Sequence, residues 1–172
     1  RARLRDMLQR HARLVLLLSL LATSAPLAGE PAAVLVCRGH EPEWSLRIDG
    51  MVAEEREWTW EEFHSLAFED VTCDIHCVTK WSKLGTTWEG VSVDTLMRDV
   101  ETAAEFALAH SYGGYTTNLP LEDLLDGKAW VAYRYEDEDL APEHGGPARL
   151  LVPHLYFWKS AKWVRGIQLL LE

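Results

Sequence analysis

Cysteine is scarce in this 172-residue chain, which has only three, at positions 37, 73 and 77. An odd number excludes a complete disulfide framework. No C-x-x-C-H motif occurs, so nothing in the chain attaches a c-type haem. Cys73, His76 and Cys77 lie close together in sequence, but no second Cys/His cluster follows to complete a four-ligand zinc site. Positive charge is also short. Seventeen Lys and Arg stand against 27 Asp and Glu, for a formal net charge of −10. That balance argues against nucleic acid as a partner, because nucleic acid calls for a basic face. There is no internal repeat and no low-complexity tract. The one long apolar run, residues 14–22, is too short to span a bilayer, so no transmembrane span is expected in a mature chain.

What is present divides the chain in three. From Met7 the sequence is basic, then apolar, then small and proline-containing up to Ala28-Gly29. This is the layout of a secretory signal, so residues 1–29 read as a targeting segment. No Arg-Arg pair accompanies it, so a twin-arginine signal is not supported. Export to the periplasm or beyond is the expectation, with a cytoplasmic location as the alternative. Residues 30–43 read as an irregular lead-in, with Pro31, Gly39 and Pro42. Residues 44–172 are long enough and apolar enough for one domain with its own core.

Within that domain Leu46 and Ile48 alternate with polar neighbours, which predicts a strand ending at the Asp49-Gly50 turn. Thr59 and Glu62 have capping-box spacing and predict a short helix to about Leu66. Residues 70–78 predict a strand that delivers Cys77 to its end. Asp94 is placed to cap a second helix. Residues 105–111 alternate again, with Phe106, Leu108 and His110 on one face. Pro120 suits the first turn of a helix over residues 121–125. Residues 130–135, 150–152 and 163–171 read as strands. The acidic stretch 136–147 reads as a solvated loop, since carboxylates adjacent in sequence do not converge on one ion without a turn to arrange them. The sum is an α+β domain, mostly β, a mixed-sheet or barrel-like fold with a few short helices.

Two blocks carry the chemistry. His76-Cys77-Val78-Thr79-Lys80-Trp81-Ser82 offers a thiol with Lys80 and Lys83 nearby, and positive charge favours the thiolate, a soft ligand for a redox metal. His144-Gly145-Gly146-Pro147-Ala148-Arg149, followed by Phe157-Trp158-Lys159-Ser160-Ala161-Lys162-Trp163, offers donors for an anion such as a phosphate. On one strand Lys159 and Lys162 face opposite sides, so at most one points at such an anion unless the chain turns between them.

Taken together, the two blocks, Trp88-Glu89-Gly90-Val91 and Gly114-Tyr115-Thr116-Thr117-Asn118 resemble the compact sulfite-oxidase-like molybdopterin oxidoreductases over roughly residues 44–168. The resemblance implies the sulfite-oxidase type of molybdopterin-binding fold and a molybdenum–molybdopterin cofactor. It implies Cys77 as the single protein ligand of the metal and as the catalytic residue. It also implies cofactor contacts from Ser111, His144, Arg149, Phe157, Trp158 and Lys159, with Tyr112 and Tyr115 at the substrate mouth. The reaction implied is oxygen-atom transfer on a small sulfur-containing or oxyanion substrate of the sulfite or sulfoxide type, with a separate redox partner that the sequence does not name. Lys80, Lys83 or Arg165 could add positive charge for an oxyanion. Two other readings stand beside it. One is a cofactor-free binding module of the same fold, and the other is a protein with a small structural zinc site at Cys73, His76 and Cys77.

Overall fold

A computed structural model describes residues 44–171; the targeting segment 1–29, the lead-in 30–43 and Cys37 lie outside the described residues. Two sheets carry the domain. The first has the order β2 (Arg56–Thr59), β1 (Ser45–Gly50), β10 (Val164–Leu170), β5 (Phe106–Ser111), β6 (Thr116–Pro120). Its β1–β10 pair is parallel and the others are antiparallel, so the sheet is mixed. The second runs β3 (Glu69–His76), β4 (Ser82–Ser92), β7 (Trp130–Tyr135), β8 (Glu138–Asp139), with β9 (Arg149–Leu151) also paired to β7. Two five-residue helices, α1 (Trp60–His64) and α2 (Val93–Met97), complete the regular structure. The domain is therefore mostly β with short helices, as the sequence pattern predicted.

Local chemistry explains most of the elements. In β1 the alternation holds, with Leu46 and Ile48 fully buried and Arg47 exposed between them. At α1 the capping box forms in both directions. The Glu62 N–H donates to Thr59 Oγ1 at 3.3 Å, and the Thr59 N–H donates to Glu62 Oε2 at 2.8 Å. Thr59→Ala removes one half of this exchange and is expected to cost about 1 kcal/mol; a lowered urea midpoint with unchanged slope checks it.

Several elements differ from the sequence reading. Helix α2 is capped by Ser92, whose hydroxyl accepts from the Asp94 N–H at 3.2 Å. Asp94 instead accepts from the Asp126 and Gly127 N–H groups, at 2.9 and 2.7 Å, and ties down the turn before β7. The helix expected after Pro120 is a single 3-10 turn, Leu121–Asp123. The acidic run forms a hairpin. Glu136 and Asp137 both have positive φ (50° and 63°) and make the two-residue connection from β7 to β8, the backbone of a primed turn. In β5 the buried face is Ala107, Ala109 and Ser111, and Phe106 on the other face is exposed. The reason is cross-strand. Ala107 and Ala109 sit opposite the buried Leu169 and Ile167 of β10, where only small residues leave room.

Strand β4 was not legible as a strand. Its early half is exposed and Gly85 interrupts the pattern. Between the pairs Cys73↔Thr86 and Ile75↔Lys83 the register shifts, with one extra residue on β4. Gly85 takes φ +63° there, the left-handed bulge position that favours glycine, and its N–H donates to Asp74 Oδ1 at 2.7 Å. What reads as a turn glycine is a bulge inside an eleven-residue strand.

Candidate functional site

The hairpin between β3 and β4 presents Cys77. The Cys77 N–H donates to the Trp81 carbonyl at 2.9 Å, and the Lys80 N–H donates back to the Cys77 carbonyl at 3.0 Å, with Lys80 at φ +67°. This closed turn leaves Cys77 half-buried, one residue beyond the end of β3. The Thr79 hydroxyl lies 3.0 Å from Cys77 Sγ. That hydrogen bond, and then the Thr79 backbone N–H, hold the thiol below its ordinary pKa. Cys73, by contrast, is pushed up by burial, and its sulfur faces Thr86 Oγ1 at 3.8 Å. His76 Nδ1 is occupied at 2.7 Å by Ser82 Oγ. Among the described residues no three His, Cys, Asp or Glu side chains gather around a common point. The zinc site at Cys73, His76 and Cys77 does not assemble: Cys73 and His76 fall on opposite faces of β3, and each of the three side chains has its own partner.

Arg149 opens β9 with only 2% of its surface exposed. Its Nη1 and Nη2 each donate to a backbone carbonyl at 2.7 Å, those of His144 and Ser160. Nε has no partner. The guanidinium lies 4.1 Å from the Phe157 ring centroid and 5.7 Å from that of Trp88. No carboxylate pairs with it among the described salt bridges. Burial alone pushes its pKa down to about 9, so the charge persists at neutral pH. An ionised group taken out of water without a counter-charge costs several kcal/mol. The fold retains one here, with a free N–H, next to a cleft.

That cleft, of about 370 Å³, is lined by Cys77, Tyr115, Trp158, Trp163, Lys162 and Arg149, among others. A second hollow of about 270 Å³ shares Arg149, Phe157 and Lys162 with it and adds Trp81, Trp88 and His144. Of the residues singled out from sequence, Cys77, Arg149, Phe157 and Trp158 meet at the first cleft. His144 is exposed and lines the second hollow. Ser111 is buried at the end of β5 with its hydroxyl unpartnered, outside the residues that line either hollow.

The two lysines separate because the chain turns between them. Phe157–Lys159 is a 3-10 turn, and Ser160 leaves it at φ −83°, ψ 80°. Lys159 does not line the cleft; its amine donates to the Asn118 carbonyl and Oδ1 and lies 4.4 Å from the Trp158 ring centroid. Lys162 is the lysine that does. Burial, and then the charge of Arg149, lower its pKa. Tyr115 closes one side, with its hydroxyl donating to the Trp158 carbonyl at 2.7 Å. Trp163, at φ +53°, reaches the Pro142 carbonyl at 2.8 Å. The sequence signal for Lys162 was the Lys-Ser-Ala-Lys spacing; what it lacked was the turn.

The Gly145-Gly146 pair makes room for this arrangement. Gly145 has φ +108°, and a Cβ on Gly146 would fall 2.0 Å from the Leu140 carbonyl oxygen. The loop packs backbone against backbone there and brings the His144 carbonyl to Arg149.

A thiol with lowered pKa and a buried cation without a carboxylate thus line one cleft of a two-sheet domain. The chain belongs to the family of the oxidoreductase molybdopterin-binding domain, whose profile matches residues 33–172. It is 42% identical over 128 residues to the oxidoreductase YuiH of Bacillus subtilis, covering 73% of this chain and 65% of that protein. It is 27% identical over 151 residues to the catalytic subunit MsrP of a protein-methionine-sulfoxide reductase from Gluconobacter oxydans, covering 76% of this chain and 48% of that one. The chain thus spans from about half to just under two-thirds of the length of these relatives. Its fold is shared with the sulfane dehydrogenase SoxCD of Paracoccus pantotrophus, at a TM-score of 0.68 and 21% identity over 77% of this chain and 39% of the other. Among the described residues no helix is long and apolar enough to cross a membrane.

Proposed function

We propose that this protein is a molybdenum–molybdopterin oxidoreductase that transfers an oxygen atom to or from a small sulfur-containing or oxyanion substrate, of the sulfite or sulfoxide type. One observation carries the reading: Arg149, buried and without a carboxylate, shares a cleft with the thiol of Cys77. The residues fit the group. An orphaned N–H and a guanidinium call for an anion such as a phosphate, and a thiol of lowered pKa is a soft metal donor.

When bound, the molybdenum centre supplies two-electron oxygen-atom transfer. Cys77 is the protein's sulfur donor to the metal, and the Thr79 hydroxyl tunes that sulfur by hydrogen bonding. Arg149 and Lys162 hold the cofactor's anionic end, a role the family resemblance had implied for Lys159. Phe157 and Trp158 flank it, and the Phe157 ring lies against the Arg149 guanidinium. His144 contributes its carbonyl to Arg149. Ser111, which the resemblance implied as a cofactor contact, lines neither hollow and takes no part in this grip. Electron balance requires a partner: a sulfoxide takes two electrons and two protons to give sulfide and water, and sulfite with water gives sulfate and releases the same. The layout of residues 7–29 goes with export of the chain.

Elemental analysis and pterin fluorescence of the protein purified from a molybdopterin-competent host test the reading. About one molybdenum per chain with released pterin is expected. Folded protein with neither metal nor pterin is the outcome that rejects it in favour of a cofactor-free binding module.

A further inference from the structure

Among the described residues five non-glycine residues take positive φ, and four of them, Lys80, Asp126, Glu136 and Asp137, are polar residues in exposed turns. The fifth is Trp163, half-buried, at φ +53°. A bulky side chain disfavours this backbone. It persists only where the surroundings fix it, and such residues cluster at active sites and ligand clamps.

Three hydrogen bonds fix Trp163. Its N–H donates to the Gly145 carbonyl at 3.2 Å, its indole Nε1–H donates to the Pro142 carbonyl at 2.8 Å, and its carbonyl accepts from the Tyr112 N–H at 2.9 Å. Every polar group of the residue is therefore spent on the loops that lead to His144 and to Tyr115. The indole itself is a wall of the cleft.

The left-handed backbone has a consequence on either side. Val164, the first residue of β10, is fully buried. Were residue 163 extended like the strand it precedes, Lys162 would share the face of Val164 and enter the core. The turn at Trp163 sends Lys162 into the cleft instead, where its Nζ donates to the Glu143 carbonyl at 2.6 Å and lies 5.6 Å from the indole centroid. There it is close enough to Arg149 to feel that charge. Residues 162 and 163 thus pin the 142–145 turn through three carbonyls, those of Pro142, Glu143 and Gly145. It is this turn that brings the His144 carbonyl to Arg149 Nη1 at 2.7 Å.

We propose that Trp163 is a positioning residue: its left-handed backbone aims Lys162 and its indole N–H pins the turn behind Arg149, so that the two cations grip one anion at a set spacing. The inference rests on the reading of this cleft as an anion site.

The test compares Trp163→Gly with Trp163→Ala in the full chain, purified from a host that makes no molybdopterin, with inorganic phosphate as the probe and calorimetry as the readout. Both variants lose the indole and its bond to Pro142. They differ in that glycine takes a left-handed φ freely and alanine does not. The alanine variant is expected to bind phosphate about tenfold more weakly than the glycine variant, the factor that corresponds to the steric cost of a left-handed alanine. Lost packing alone predicts no difference or the opposite order, because alanine leaves the smaller cavity. Adding Lys162→Gln is expected to erase the difference between the two, since the backbone acts through that amine. Should alanine prevent folding, Trp163→Asn against Trp163→Leu gives the same contrast with more side chain in place, and asparagine is expected to bind the tighter. Trp163→Phe, which keeps a ring but no N–H, is expected to speed hydrogen exchange about tenfold at the Gly145 and Gly146 amides, which donate to the Pro142 and Ala141 carbonyls.

Equal phosphate binding by the glycine and alanine variants overturns the proposal. So does a difference that survives Lys162→Gln, as do unchanged exchange in Trp163→Phe and a parent chain that binds no phosphate. The enzymatic reading fails separately. A parent that shows the expected order but takes up neither molybdenum nor pterin in a competent host keeps the positioning role and loses the oxidoreductase. A molybdenum-loaded parent whose glycine and alanine variants bind phosphate alike loses the positioning role alone.

Discussion

Cys77→Ser is expected to abolish molybdenum-dependent turnover while leaving the fold intact. Even the outer partners of metal ligands are worth about ten- to a hundredfold in affinity or activity, so loss of the sole protein sulfur ligand should exceed a hundredfold. A serine hydroxyl is a harder and far less acidic donor, and it does not replace thiolate at a soft metal. Structurally the change is small. Cys77 is half-buried, its turn is held by backbone hydrogen bonds to Trp81 and Lys80, and its side chain engages Thr79. A serine keeps that last contact. The melting temperature should move by no more than about 2 °C. Turnover and melting measured on the same preparation decide the matter. A Cys77→Ser protein with full molybdenum-dependent activity removes the ligand assignment, whatever else survives.

Arg149→Met separates binding from stability in the opposite way to an ordinary core substitution. The wild-type guanidinium is buried without a counter-ion, a burden of several kcal/mol in the empty protein. It returns part of this through two charge-assisted hydrogen bonds to the carbonyls of His144 and Ser160, each worth about 1.5–3 kcal/mol. Methionine relieves the burden and forfeits the bonds. The cofactor-free protein should therefore shift by less than about 2 kcal/mol in urea unfolding, in either direction. Cofactor retention should fall steeply, because truncating one member of a buried, hydrogen-bonded charge pair costs about 2–5 kcal/mol or more. Arg149→Lys should not rescue it, since an ammonium lacks the planar fork that reaches both carbonyls and the anion together. Pterin released on denaturation, set beside the urea midpoint, reads both effects. A Met variant that holds its cofactor as tightly as the parent contradicts the anion-site assignment.

The two variants probe different halves of one cleft, and those halves differed in how they could be read. The thiol half was local. Residues 70–78 alternate and deliver Cys77 to a strand end, and the turn that follows is closed within five residues. The anion half was not local. Lys159 and Lys162 are three apart, and only the 3-10 turn over Phe157–Lys159 decides that Lys159 meets Asn118 while Lys162 faces the cleft. No periodicity encodes that turn, because it is made by where the chain must go to bring the Ser160 carbonyl onto Arg149. The acidic run 136–139 misled for a related reason. Its hairpin needs two left-handed residues that are neither Gly nor Asn, and strand pairing to β7 imposes them.

By itself the sequence determined which atoms are available and which short elements form: the alternation of β1, the capping box of α1, the thiol at 77, the Gly-Gly loop before Arg149, and a family resemblance spread over four ordered blocks. Those depend on neighbours a few residues apart, and such neighbours are written in the order of the chain. Only the tertiary structure decided that Arg149 has no carboxylate, that the inward face of β5 is the alanine face and that Gly85 is a bulge. Each of these is set by what packs opposite, across sheets joined by residues a hundred positions apart, and burial and pairing at that range are properties of the folded surface alone.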